Sequence, residues 1–336
     1  MASRLLGQAL AAAPVELFRA RDSAFGGPDV RDRRRYVRVR PGVYAFRDAW
    51  EALAPWERYL ARVHAYAVIS PQVVFAYESA AALLGLPIFG EPRDIHVFSA
   101  ERRASRRFSD VCVHTSADAR EVIDVGGLRV TSVAATAVDL MRVLPPLYGL
   151  AVGDAAVSLV QGGTTDALEL GTLAASQRTW RGIARLRLLL PAVDERAESP
   201  GESVSRGVML WAGFETPELQ RVFRSEGHED RVDFAWPSVR AIGESDGYGK
   251  YVTETAEEAV RRVIEEKKRE ERLRRQCAAF DRWDMETAEA VGPLVERLER
   301  LGVPRVGPAI PVLLSAKNPR SLSRGPLSTS EKPRSR

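Results

Sequence analysis

Apolar residues recur along this chain with two periods, and each change of period marks a change of element. Leu5, Leu6, Ala9, Leu10 and Ala13 follow a helical stripe, which predicts an amphipathic first helix. Between Tyr36 and Phe46 the period drops to two. Tyr36-Val37-Arg38-Val39-Arg40 and Val43-Tyr44-Ala45-Phe46 flank Pro41-Gly42, which predicts a hairpin turned at Pro-Gly. Helical spacing returns from Trp50 to Ile69, with Trp56, Leu60, Val63 and Ala67 on one side, and again from Phe75 to Leu84. Asp94 to Ser99, Val111 to Thr115 and Leu128 to Ser132 read as strands. His96 and His114 fall at alternating positions of the first two, where they face each other. Ala134 to Val143, Leu147 to Leu159, a segment starting at Thr165, and Trp180 to Leu190 read as helices.

The polar, Pro-containing junction Asp194 to Pro200 marks the main boundary. Ser199-Pro200-Gly201-Glu202 is a helix start, with proline at the first helical position and an S-x-x-E capping box. That helix runs to about Trp211. Val232, Phe234 and Trp236 then alternate with Asp233 and Ala235, Pro237-Ser238 supplies turn chemistry, and Val239 to Glu244 returns. A turn centred between Ser238 and Val239 sets Asp233 opposite Glu244, with Asp246 two residues on. Opposed like charges destabilise a sheet unless something compensates. Either a hard divalent cation sits between them, or they face water and pair with Arg231, Arg240 and Lys250. Glu202 is either a cap alone or a further acid aimed at this hairpin. The helix from Thr253 to Cys277 carries Val260, Val263 and Ile264 as its expected buried stripe, continued by Lys267. Phe280 to Trp283 is a short strand and Ala288 to Leu301 a final helix. From Pro304 on, Pro, Ser, Arg and Lys predict a basic, disordered tail.

Composition narrows this picture. At 336 residues the chain is too long for one ordinary core. Hydrophobic and charged shares of 45% and 28% are those of a folded protein. The net charge of +4 permits a polyanion partner, and the basic excess gathers at the two ends. Arg31, Arg33, Arg34, Arg35, Arg38 and Arg40 gather at the first hairpin, whose own arginines alternate with apolar residues and make one face basic. A helical unit with a basic hairpin resembles a winged helix, and phosphate contact suits such arginines. Two distant cysteines without a CxxC argue against a zinc site or disulfide framework and fit a reducing, cytoplasmic setting. The apolar run at Leu5 to Ala13 is short for a signal sequence. No apolar run reaches about 18 residues, so no membrane span is expected.

Residues 198–301, through E-S-P-G-E-S, R-V-D-F-A-W, G-E-S-D-G-Y-G-K-Y, E-K-K-R-E-E-R-L-R and Arg282-Trp283, resemble the DUF559 branch of the PD-(D/E)XK endonuclease-like superfamily, related to very-short-patch repair endonucleases. Residues 30–160, through V-R-V-R-P-G-V-Y-A, S-A-A-A-L-L-G-L and V-T-S-V-A-A-T-A-V-D-L, resemble the N-terminal and central regions of the AbiEi antitoxin family. The two resemblances imply an α/β multi-domain chain: a winged-helix-like unit over 1–60, a small α/β domain over 61–193, a restriction-endonuclease-like mixed sheet flanked by helices over 198–303, and a tail over 304–336. They imply DNA as partner, with a cognate toxin as a second. They assign Asp233 and Glu244, with Asp246 nearby, to Mg²⁺ or Mn²⁺, and Glu202 as accessory acid. The usual lysine two positions after the second acid is Asp246 in this sequence, so Lys250 or Lys267 would supply the cation. Two activities follow: metal-dependent phosphodiester hydrolysis, or transcriptional regulation by an antitoxin-like protein with an inactive nuclease fold.

Overall fold

The computed structural model describes residues 9–21, 29–247 and 256–314. Among them the chain is mixed α/β, with three sheets and eleven α-helices. None of these helices is long and apolar enough to cross a membrane.

The N-terminal sheet is ordered β1-β3-β2, from β1 (Phe18–Arg19), β2 (Tyr36–Arg40) and β3 (Val43–Phe46). The Pro-Gly hairpin forms as expected, with Gly42 at φ +80°, a conformation that glycine adopts without steric cost. Helices α1 (Arg47–Ala52) and α2 (Pro55–Ile69) follow. Ala45 and Ala61 close a small core between hairpin and helix. Two expectations are corrected. Residues 9–13 are not helical: the main chain of Ala11 donates to Leu83 O and bonds the His64 ring instead of making helical bonds. Leu5 and Leu6 lie outside the described residues. Trp56 is exposed, because α2 buries Tyr59, Ala61, Val63, Ala65 and Ala67 instead.

The central sheet has six strands: β4 (Val74–Phe75), β5 (Ile95–Phe98), β6 (Arg106–Phe108), β7 (Val111–His114), β8 (Val122–Val125) and β9 (Leu128–Thr131). Their order is β6-β7-β5-β4-β9-β8, with β5∥β7 and β4∥β9 parallel. The edge strands β6 and β8 carry no period-two signal and were not expected. Helix α3 (Tyr77–Leu84) lies on the sheet, α4 (Val133–Val143) packs on α3, and α5 (Pro146–Val157), α6 (Ala167–Ser176) and α7 (Ile183–Leu189) pack on α4. All twelve residues of α5 are buried, as a helix apolar on every side must be. Its expected extension to Leu159 stops at Val157.

The C-terminal sheet is β10-β11-β12-β13, with α8 (Pro200–Trp211), β10 (Glu218–Ser225), β11 (His228–Trp236), β12 (Ala241–Asp246), α9 (Ala256–Gln276) and β13 (Ala279–Asp284) in chain order. β10 to β12 are antiparallel, and β13 returns parallel to β12 after α9. The expected single helix over 288–301 is two, α10 (Met285–Glu289) and α11 (Gly292–Arg300), broken where Val291 takes φ +61°. Residues 304–314, expected within a disordered tail, are instead packed on the fold, and 315–336 lie outside the described residues. Ile310 N–H bonds Trp211 O, Arg305 bridges Phe214, and Leu313 is buried.

The core is continuous across the junction at 194–200. Helix α5 packs on α8 so closely that a Cβ at Gly207 would meet Leu147 at 2.7 Å. Beside that contact Arg206 donates to both oxygens of Asp154, at 2.9 and 2.7 Å, and both residues are buried. This pair ties the C-terminal sheet to the central unit.

Candidate functional site

The β11–β12 ladder pairs Phe234 with Gly243, Ala235 with Ile242 and Trp236 with Ala241, the register expected from a turn between Ser238 and Val239. Gly243 has a reason to be glycine: a Cβ there would meet the Trp283 ring at 2.4 Å. Asp233 and Glu244 are the next positions outward. There the Asp233 side chain enters the ladder, and its Oδ2 accepts from Ser245 N–H at 2.8 Å. Burial pushes the Asp233 carboxyl up to about 7. Glu202 and Glu244 push the same way, while the Ser245 N–H and Arg269 resist.

Glu202 caps α8 and also lies near the hairpin acids. Its N–H donates to Ser199 Oγ at 3.2 Å and its carboxylate accepts from Ser199 Oγ–H at 2.8 Å and from Glu198 N–H at 2.9 Å, so it is a capping residue. It also accepts from Gln220 Nε2 at 2.8 Å and stands close enough to raise Asp233. Its own carboxyl is raised, by burial first.

Glu244 is buried, and arginine takes up both its oxygens. Arg269 of α9 grips Oε1 with Nη2 and Oε2 with Nη1, and Arg282 of β13 adds Nη2 at 3.0 Å to Oε2. Glu266 bridges the same two arginines, at 3.1 and 2.8 Å. Asp246 is exposed and pairs with Arg282 Nε at 3.1 Å. The compensation for the opposed acids therefore comes from α9 and β13. Of the expected partners, Arg231 pairs with Glu198 and the Arg240 side chain donates to Gln276 O. Lys250 lies outside the described residues.

The expected inward face of α9 is overturned. Its deeply buried anchor is Leu273. At about 100° per residue, Arg269 and Glu266 share the face of Leu273, while Ile264 stands half a turn round. Val260, Val263, Ile264 and Lys267 are accordingly exposed. Arg269, on the face of Leu273, is the residue of α9 that meets Glu244. The register of β13, with Arg282 beside Glu244, needed long-range pairing to be seen.

The donor set does not suit a divalent cation as arranged. Among the described residues, no three His, Cys, Asp or Glu side chains are placed to hold a metal ion. Glu244, the most buried acid of the group, already has its charge met by guanidinium.

The basic hairpin divides. Arg34, Arg35 and Arg38 are exposed, and among the described residues no acidic group pairs with them. Arg40 is corrected out of that set. A bulge between Arg38 and Arg40 breaks the alternation, and Arg40 is buried with a two-pronged bond to Asp110 at 2.7 and 2.9 Å. It ties hairpin to central sheet. His96 and His114 do meet, Nδ1 to Nε2 at 2.8 Å, with Glu78 at 3.1 Å from the far nitrogen of His96.

No family model matches the chain, and no solved structure matches it. Two uncharacterized proteins of Mycobacterium tuberculosis, strains CDC 1551 / Oshkosh and ATCC 25618 / H37Rv, are each 42% identical over 121 residues. That stretch is 36% of this chain and 44% of each relative, so the chain spans less than half the length of the relatives it matches.

Proposed function

We propose that this protein is a DNA-binding regulator of the AbiEi-antitoxin type, whose C-terminal unit is an endonuclease-like fold used as scaffold. The observation that carries DNA binding is the set Arg34 and Arg35, in the turn leading into β2, and Arg38 on β2, all exposed and without acidic partners among the described residues. Guanidinium groups held so are suited to phosphate. A mixed sheet flanked by helices, with acids on adjacent strands and Glu202 on the preceding helix, supports the endonuclease-like frame. The double-arginine hold on Glu244 favours scaffold over cutter. A gel shift with duplex DNA under salt titration tests the reading. Arg38→Ala should weaken binding and flatten the salt slope by about one, and Asp233→Ala should leave binding unchanged. Unchanged binding in Arg38→Ala would sink it. A cognate toxin is the protein partner this reading implies.

One observation favours a metal-dependent phosphodiester hydrolase instead. Burial first, and the charges of Glu202 and Glu244 after it, hold the Asp233 proton to near pH 7, and acids gathered so favour a cation such as Mg²⁺ or Mn²⁺. Arg269 and Arg282 would first have to release Glu244. Supercoiled plasmid, with and without the metal and beside Asp233→Ala, separates the readings: metal-dependent nicking lost in the variant replaces the scaffold with an enzyme.

A further inference from the structure

A groove of about 450 Å³ opens between the end of α6 and α7, well within the size range of ligand pockets. Ala174, Ile183 and Leu186 supply its apolar lining, Arg178 and Arg187 are exposed beside it, and no acidic residue lines it. Trp180 is 83% exposed. A single exposed apolar residue is ordinary, but the segment that presents this one is rigidly held. Buried Arg142 donates to the carbonyls of Thr179 and Arg181, at 3.1 and 2.8 Å, and to Gln177 Oε1 at 2.8 Å. Buried Asp118 accepts from the N–H groups of Arg178 and Thr179 at 2.7 and 3.0 Å. Gly182 closes the segment at φ +71°, where a Cβ would meet Arg142 O at 2.6 Å. Two buried charges, costly to desolvate, thus hold Gln177, Arg178, Thr179 and Arg181 around Trp180, and the feature held out is an indole.

We propose that this groove binds an unpaired base of single-stranded nucleic acid, with Trp180 as the stacking face and Arg178 and Arg187 on the flanking phosphates. The groove's ring beside two cations complements the unit it would read, an aromatic base beside an anion, and base stacking on an aromatic side chain tolerates every base. Among the described residues neither arginine has an acidic partner. Gln177 lines the groove, and its Nε2 is buried with no acceptor. None of the hairpin arginines takes part, so this site and the duplex-binding proposal can fail separately.

The test is titration of the full chain with a labelled dodecamer of deoxythymidylate, from about 50 to 200 mM salt. Trp180→Ala should weaken binding about 5- to 150-fold, the range for loss of one stacked base, and Trp180→Phe should retain most of the affinity. Arg178→Ala and Arg187→Ala should each reduce the salt slope by about 0.7. Arg38→Ala should leave oligonucleotide binding unchanged. Failure of the wild type to bind, equal affinity in Trp180→Ala, or displacement of the dodecamer by a Glu-Tyr peptide at lower concentration than unlabelled dodecamer would overturn the proposal. Trp180 is too exposed for its loss to unfold the chain, and equal melting of wild type and variant checks that.

Discussion

Replacing Asp233 by asparagine removes the proton that this site struggles to give up. The Asp233 carboxyl is raised from its ordinary 3.8 to about 7, by burial first and by Glu202 next. A raised carboxyl favours the protonated form in the folded state. The stability it lends is therefore whole below about pH 4 and is lost as pH rises through about 7. Three pH units correspond to about 4 kcal/mol. Part of that belongs to Glu202, so about 2–4 kcal/mol is the gain expected when the charge is removed at pH 8. Asparagine keeps an oxygen for the Ser245 N–H, so the ladder end should survive. For 336 residues that gain is a rise in melting temperature of roughly 3–6 °C. Melting curves of wild type and Asp233→Asn at pH 8 and pH 5 should show the gap at pH 8 and most of it gone at pH 5. A gap that ignores pH, or a variant less stable than wild type at pH 8, would refute the electrostatic account. The same variant divides the functional readings in the plasmid assay, since a scaffold gains stability with no metal-dependent nicking to lose.

Other expectations concern the ties between units. Arg40→Ala should lower stability by about 1–3 kcal/mol, leaving Asp110 to Arg62 alone; a denaturant midpoint equal to wild type would count against that role. Arg206→Ala should cost about 3–5 kcal/mol, because it leaves the buried Asp154 carboxylate without its cation, with the Asp194 N–H and nearby Ser203 left to support it, and Asp154→Asn in the same background should recover much of it. Recovery of nothing would mean that Arg206 acts by packing alone. Gly243→Ala should cost about 1–3 kcal/mol through collision with Trp283, read as a lower midpoint with altered near-ultraviolet dichroism. A neutral Gly243→Ala would show that the ring has room to move.

Much of the candidate site was legible because its information is local. A two-residue period and a Pro-Ser turn are enough to set register, so Asp233 and Glu244 could be placed as neighbours from the chain alone. The S-x-x-E cap was equally local, and Ser199 and Glu202 make the bonds it implies. His96 and His114 also meet, though which strands pair is a long-range matter. The inward side of α9 could not be found so. Val260, Val263 and Ile264 are its apolar residues, yet among its described side chains they stand exposed while Arg269, Glu266 and Leu273 face the sheet. A helix shows its neighbour whichever face the sheet's charges and shape accept, and a buried Glu244 draws guanidinium more strongly than three exposed aliphatic groups resist water.

What the amino-acid sequence determined by itself was the set of elements with strong period or punctuation: both hairpins, α8 with its cap, α4, and the placing of opposed acids. Turn chemistry and side-chain alternation act over a few residues and need no partner. Tertiary structure decided which residues complete each charge. Arg40 left the basic face for Asp110, Arg142 and Asp118 were spent on holding the Trp180 segment, and Arg269 and Arg282 came to Glu244. Ion pairs between groups some 20 to 70 positions apart leave no trace in local spacing, because their energy depends on distance and burial, which only the folded chain sets.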